Sequence, residues 1–248
     1  MNLRFLYLSA LLFLASTTAY AQAASMGKDA ATAQANLGAI TAGGSVRMDR
    51  AASYGVVGSP YADNRWLTAL VTLSNGQPLA PVALKYDVLE RRLLMLDEKH
   101  PSDSVMLDDR QVVRFVLQEP ASVRGPARQR EFRRFLEAPQ QQHRPDYVEV
   151  LHMGSYTLLK NYVKALRRAD YQGAYSPNRR ADEIEDKSVY YLRSPGAQLV
   201  LVKLSLKSLE AAAPPLATAL KAAADTHKPK TEAQWVMVLQ AADPAPTK

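Results

Sequence analysis

Cysteine is absent from all 248 residues. That absence excludes thiol catalysis, disulfide exchange, cysteine-ligated zinc and lipid attachment through an N-terminal cysteine. It also means that an exported form of the chain has no disulfide to hold it, so its stability must come from an ordinary core. Tryptophan occurs twice and phenylalanine five times. No G-x-S-x-G elbow, phosphate loop, dinucleotide-binding glycine pattern or H-E-x-x-H helix is present. The four histidines, His100, His143, His152 and His227, stand far apart. His152, ending a predicted strand beside a glycine turn, is the one with the most interesting setting. These spacings name no catalytic residue, no metal ligand and no cofactor. After the first residues there is also no apolar run near the roughly 20 residues that a membrane span needs.

What is present begins at the N-terminus. Met1 to Arg4 carries one positive charge, Phe5 to Ala15 is apolar, and a small-residue stretch ends in Ala19-Tyr20-Ala21. This order is the signature of a secretion signal cleaved after an A-x-A site. The reading makes residues 1–21 a signal peptide and places the mature chain in the periplasm or outside the cell. Residues 22–43, rich in Ala, Gln, Thr and Gly, bury too little to offset their ordering entropy and read as a flexible leader. Gly43-Gly44-Ser45 reads as its linker end. The formal net charge is +7, and loss of Arg4 with the signal leaves +6. Such a balance keeps a protein soluble and favours acidic partners.

The middle of the chain has the period of strands. Trp66 to Leu73 is β-rich, and Asn75-Gly76 follows it, a dipeptide suited to turns that require positive φ. Val82, Leu84, Tyr86 and Val88 alternate with Ala83, Lys85, Asp87 and Leu89, the pattern of a half-buried strand. Leu93 to Leu96, Ser104 to Leu107 and Arg130 to Leu136 are further candidates. Gln111 to Gln118 would place Val113, Phe115 and Leu117 on one face. Gly154-Ser155 separates Tyr147–His152 from Tyr156–Leu166, and Ser194-Pro195-Gly196-Ala197 separates Lys187–Arg193 from Gln198–Leu204. No long crossover divides these pairs, so the sheet should be mainly antiparallel.

After Leu204 the period becomes helical, with Leu206 and Leu209, Leu216 and Leu220, then Trp235, Val238, Leu239 and Ala242. Pro215 suits a first helical turn, and Thr231 with Gln234 fits a capping box. The expected class is therefore α+β: an antiparallel β-meander, barrel- or sandwich-like, over 44–204, short packed helices over 205–242, and a frayed tail over 243–248.

Two charge clusters stand out. Asp182, Glu183, Glu185 and Asp186 do not follow the D-x-[DN]-x-[DN]-G loop, and with Arg179, Arg180 and Lys187 beside them they read as a solvated charged loop. Arg124, Arg128, Arg130, Arg133, Arg134 and Arg144, with Lys160, Lys164, Arg167 and Arg168, lie near Tyr147, Tyr156, Tyr162, Tyr171 and Tyr175. Basic groups with aromatic platforms suit sugar polymers or single-stranded nucleic acid, and export disfavours nucleic acid.

The segments Leu84-Lys85-Tyr86-Asp87-Val88-Leu89, Tyr156-Thr157-Leu158-Leu159-Lys160, Lys187-Ser188-Val189-Tyr190-Tyr191-Leu192 and Leu204-Ser205-Leu206-Lys207-Ser208-Leu209 resemble a family of exported proteins from Gram-negative bacteria of the Bacteroidetes type. The family has no established activity. The resemblance runs from about Gly55 to Leu239 and departs from the family in the arginine- and glutamine-rich stretch from Arg124 to Arg144. It implies an envelope or secreted location and names no site residues.

The leading expectation is thus an exported, non-catalytic binding or accessory module working through its sheet surface, with an envelope protein or anionic polymer as partner. The alternatives are a small-ligand carrier enclosed by a barrel, or an enzyme acting on carbohydrate through dispersed carboxylates, first among them Asp87, Asp182, Glu183 and Glu185.

Overall fold

The computed structural model describes residues 35, 37, 40–41, 56–97, 103–123, 125–169 and 181–244. The signal segment, Gly43-Gly44-Ser45, His100, Arg124, Tyr171, Tyr175, Arg179, Arg180 and the last four residues lie outside them. Among the described residues the strands are β1 (Val56–Val57), β2 (Leu67–Leu73), β3 (Val82–Asp87), β4 (Arg92–Leu96), β5 (Ser104–Met106), β6 (Val112–Glu119) and β7 (Arg128–Arg134). They continue as β8 (Tyr147–Met153), β9 (Thr157–Asn161), β10 (Lys164–Arg167), β11 (Asp182–Asp186), β12 (Val189–Arg193) and β13 (Leu199–Val202). The helices are α1 (Leu206–Ala212), α2 (Ala217–His227) and α3 (Glu232–Ala242).

Ten strands form one antiparallel sheet in the order β13-β12-β9-β8-β7-β6-β2-β3-β4-β5. It is not a closed barrel, because its ends β13 and β5 do not pair with each other. It does coil strongly. Four strand steps separate β3 from β8, roughly 19 Å across a flat sheet, yet the Tyr86 and Tyr147 rings meet edge to face at 5.4 Å. Phe115 and Phe132 stack at 4.8 Å inside the same curl. Such ring pairs add about 0.5–1.5 kcal/mol each beyond burial. These rings pack together on the inside of the curl.

The turns follow from local chemistry. Gly76 takes φ +77° after Asn75, whose Oδ1 accepts from the Gln77 N–H at 2.9 Å. Between β12 and β13 the Ala197 N–H donates to Ser194 O at 2.9 Å. Ala197 itself carries φ +62°, a conformation unfavourable for a side chain. Ala197→Gly should therefore raise stability by about 0.5–1 kcal/mol, read as a higher denaturation midpoint at unchanged slope. An unchanged or lower midpoint would show that this turn holds no strain.

In one respect the alternation misleads. Phe115 and Leu117 are buried as the pattern requires, but Val113 is 39% exposed and Val112 only 1%. The register slips between Thr72 and Leu73, so that Arg114 opposes Thr72 and Val112 opposes Leu73. This bulge skips Val113 and brings its neighbour inward.

β9 and β12 run on past a break into β10 and β11, making one long ribbon. Asn161 pairs with Val189, Lys164 pairs with Asp186, and the Lys187 N–H bridges the break to Val163 O at 2.8 Å. β1 adds to this ribbon in parallel. The acidic cluster is thus strand β11, not a loop. Its charges are met across the ribbon by Lys164 and Arg167, and within it by Lys187.

Cross-strand partners share a face, so the registers place Leu117, Arg130 and then Phe132, Glu149, Lys160 and Tyr190 on the inner face. That face carries two apolar cores. One gathers Leu84, Tyr86, Phe115, Phe132 and Tyr147. The other gathers Leu158, Leu192 and Val202 with Leu209, Leu220, Val238 and Leu239 of the helices. A smaller cluster of Phe135, Ala138, Val148 and Leu159 lies together on the sheet's other side. The expected capping box is present on α3, with Thr231 and Gln234 exchanging side-chain and backbone hydrogen bonds.

Two boundary expectations are corrected. Ile40, within the segment read as a flexible leader, is buried in the first core. Leu37, three residues earlier, packs against the same core, and the Ala-, Gln- and Thr-rich composition around the pair hides this tertiary contact. Asp243, assigned to the fraying tail, is only 4% exposed, because its carboxylate is enclosed by the β8–β9 turn.

Candidate functional site

A cleft lies where β2, β6 and β7 leave the first core. Leu67, Ala69, Val71 and Leu73 of β2 point inward and are buried, so the alternation turns Thr68 outward, with Trp66 in phase with it. Thr68 opposes Gln118 on β6, and Gln118 opposes Gln129 on β7. The three exposed polar side chains make a row across adjacent strands. Trp66, Pro120, Ala127, Glu119 and Arg128 surround the row, and the cleft holds about 600 Å³. Extending the β2–β3 register puts Lys85 opposite Trp66, and its Nζ lies 4.5 Å from the Trp66 ring centre. Lys85 thus covers the Trp66 ring from the β3 side, and Trp66 also lines the cleft.

Behind the cleft runs a chain of ion pairs. Glu119 accepts from Arg65 Nη2 at 2.6 Å and from Arg128 Nε at 2.6 Å. Arg65 also grips Asp63 through Nε and Nη2, at 3.0 and 2.8 Å. The same Asp63 Oδ2 accepts from Arg130 Nη1 at 2.8 Å. Arg130, 5% exposed, makes two parallel bonds to Glu149 at 2.8 and 2.9 Å. Its Nη2 also donates to the Tyr162 hydroxyl at 2.9 Å, which in turn donates to Glu149 Oε2. A neighbouring unit joins sheet to helix: Lys160 and Tyr190 both donate to Glu232 of α3.

The electrostatics follow from these contacts. Burial pushes the Asp63 carboxyl up, but the hydrogen bonds from Arg65 and the charge of Arg130 outweigh it and hold it below its ordinary value. Glu119 is lowered in the same way, with Arg65 and Arg128 overcoming burial. Glu232 is lowered because Lys160 and Tyr190 overcome a larger burial. Burial and the Glu149 charge raise the Tyr162 phenol, so it stays protonated and donates. A depressed folded carboxyl contributes stability that is complete above its unfolded value and is lost as pH falls through the folded value. The denaturation midpoint should thus hold down to about pH 5 and drop below about pH 4. Midpoints at neutral and acid pH measure this, and a flat profile would contradict the role given to these pairs.

The residues singled out in the sequence are not brought together here. Asp87 is buried on the large sheet and is held by Arg92 Nε at 3.1 Å. Asp182, Glu183 and Glu185 belong to the ribbon, where the two glutamates are paired with cations and Asp182 accepts from the Ala169 N–H. His152 lies beside Asp243 at 3.3 Å, His143 beside Asp146 at 2.6 Å, and His227 ends α2. No group of three or more ligating side chains could hold a metal ion among the described residues.

Arg128, Arg130, Arg133, Arg134, Lys160, Lys164 and Arg167 each face a carboxylate. They do not form an open basic patch. Tyr147, Tyr156 and Tyr162 are core residues and not surface platforms. Trp66, Gln118 and Gln129 were not singled out by the spacing of residues in the sequence. An aromatic in phase with the outward side of an alternating strand was the available signal for Trp66. No helix among the described residues is long and apolar enough to cross a membrane. No protein-family model, curated protein or solved structure matches this chain.

Proposed function

We propose that this chain is an exported, non-catalytic binding or accessory module of the cell envelope, working through the outward face of its open sheet. The observation that carries the reading is the cleft at Trp66. An aromatic ring just ahead of β2 and three hydrogen-bonding side chains on adjacent paired strands line it, the combination of apolar surface and few placed polar groups that ligand sites use. Export is supported by the order of basic, apolar and A-x-A segments over residues 1–21, and by the resemblance to exported proteins. Because the arginines nearby are already engaged by carboxylates, recognition through ring and amide groups is favoured over a purely basic patch.

The test is affinity capture. Tagged mature chain and its Trp66→Ala variant are incubated with an envelope extract of the native cell, and the retained protein and polymer are identified. The wild type should enrich one envelope component that the variant loses. Background alone, or equal recovery by both, would overturn the reading.

A further inference from the structure

We propose that the Trp66 cleft takes a pyranose ring of an uncharged saccharide, an inference that rests on the cleft being the binding site. Three observations converge on this class. The first is the ring: Trp66 lines the cleft and carries Lys85 over its ring, an aromatic surface of the kind that takes the C–H face of a sugar. The second is the row Thr68, Gln118 and Gln129 at its foot. Its members stand about 4.8 Å apart from strand to strand, and each amide or hydroxyl both donates and accepts. A sugar rim, made of hydroxyls that also do both, satisfies such a row in either sense. The third is charge: Arg128 and Arg65 are both spent on Glu119, so the cleft offers no unpaired cation among the described residues to select an anionic ligand.

Size agrees with this class. The volume of about 600 Å³ lies within the usual range for small-ligand sites, enough for one or two sugar rings. The receiving groups are also pre-placed. They sit on strands paired on both sides, so little ordering is required when a ligand arrives. Bound sugar would lie against the Trp66 ring with its rim toward the sheet.

The chain contains only two tryptophans, so Trp235→Phe leaves Trp66 as the sole tryptophan of the full mature chain, read by its own emission under excitation that spares the tyrosines. Cellotetraose, chitotetraose, tetragalacturonate and adenosine are titrated against it, with calorimetry on the unaltered protein as a second readout. A neutral oligosaccharide should give a saturable change in Trp66 emission, and the uronate should bind no more tightly. By calorimetry Trp66→Ala should weaken binding at least about tenfold. Gln118→Ala and Gln129→Ala, both exposed positions that leave the fold intact, should each weaken it by about three- to tenfold.

Saturation by none of the oligosaccharides overturns the proposal, as does tighter binding of the uronate or of adenosine. Unchanged affinity in the two glutamine variants also overturns it. If envelope capture still depends on Trp66 while no sugar binds, the site stands and the saccharide class falls. If capture fails as well, both fall.

Discussion

Arg130→Met should lower the unfolding free energy by about 3–5 kcal/mol. The arginine lies against Phe132 and Tyr162 of the first core, where its guanidinium meets Glu149 twice, Asp63 once and the Tyr162 hydroxyl once. Removing it strands the Glu149 carboxylate in a site 2% exposed, and an uncompensated buried charge is what makes such losses large. The triple change Arg130→Met, Glu149→Leu, Tyr162→Phe should recover most of that loss, since apolar groups of similar volume commonly replace a buried ion pair without penalty. Tyr162 must be included because its hydroxyl would otherwise lack both partners. Chemical denaturation measures all of this. A single-variant loss below about 1 kcal/mol would mean that water reaches the site and screens it.

Asp243→Ala should cost about 2–4 kcal/mol, and the damage should be local. Asp243 follows α3 directly, and its carboxylate accepts from the Ser155 N–H at 3.1 Å and the Tyr156 N–H at 2.7 Å, with His152 Nε2 at 3.3 Å. One side chain therefore pins the end of the last helix to the β8–β9 turn. Gly154 makes this approach possible through space and not through an unusual φ. A Cβ there would stand 2.6 Å from Asp243 Oδ2 and 2.7 Å from its carbonyl oxygen. Gly154→Ala should consequently reproduce the Asp243→Ala phenotype. Hydrogen exchange is the decisive readout: the Ser155 and Tyr156 amides should lose protection in both variants, while amides of β2 and β6 keep theirs. Gly154→Ala with wild-type protection at these amides would show that helix and turn are held by the second core alone.

The turns and the helical ending were legible because each depends on residues a few positions apart. Asn75-Gly76, Gly154-Ser155 and Pro195-Gly196 stand where the chain reverses, and the Thr231–Gln234 box sits at the start of α3. The alternation of β3 put Val82, Leu84 and Tyr86 together on one side, and that side is buried. β6 was misread at Val113 because a bulge against Leu73 shifted the phase. β7, with the sequence Arg-Gln-Arg-Glu-Phe-Arg-Arg, looks like a surface segment when read alone. It occupies the centre of the sheet because Glu119, Glu149, Glu137 and Asp109 neutralise its arginines from elsewhere. The candidate cleft was less legible still, since Trp66, Gln118 and Gln129 become neighbours only through the pairing of three strands.

By itself, then, the sequence determined the antiparallel class, the turns, the helix cap and the exclusion of cysteine chemistry, all of which follow from composition or from contacts within a few residues. Tertiary structure alone decided that the sheet coils without closing, that the arginines of β7 are met by carboxylates, and that an aromatic ring lines the same cleft as two amides and a hydroxyl. Those outcomes depend on strand order and register. Both are settled by burial and pairing between residues tens of positions apart, beyond the reach of any local pattern.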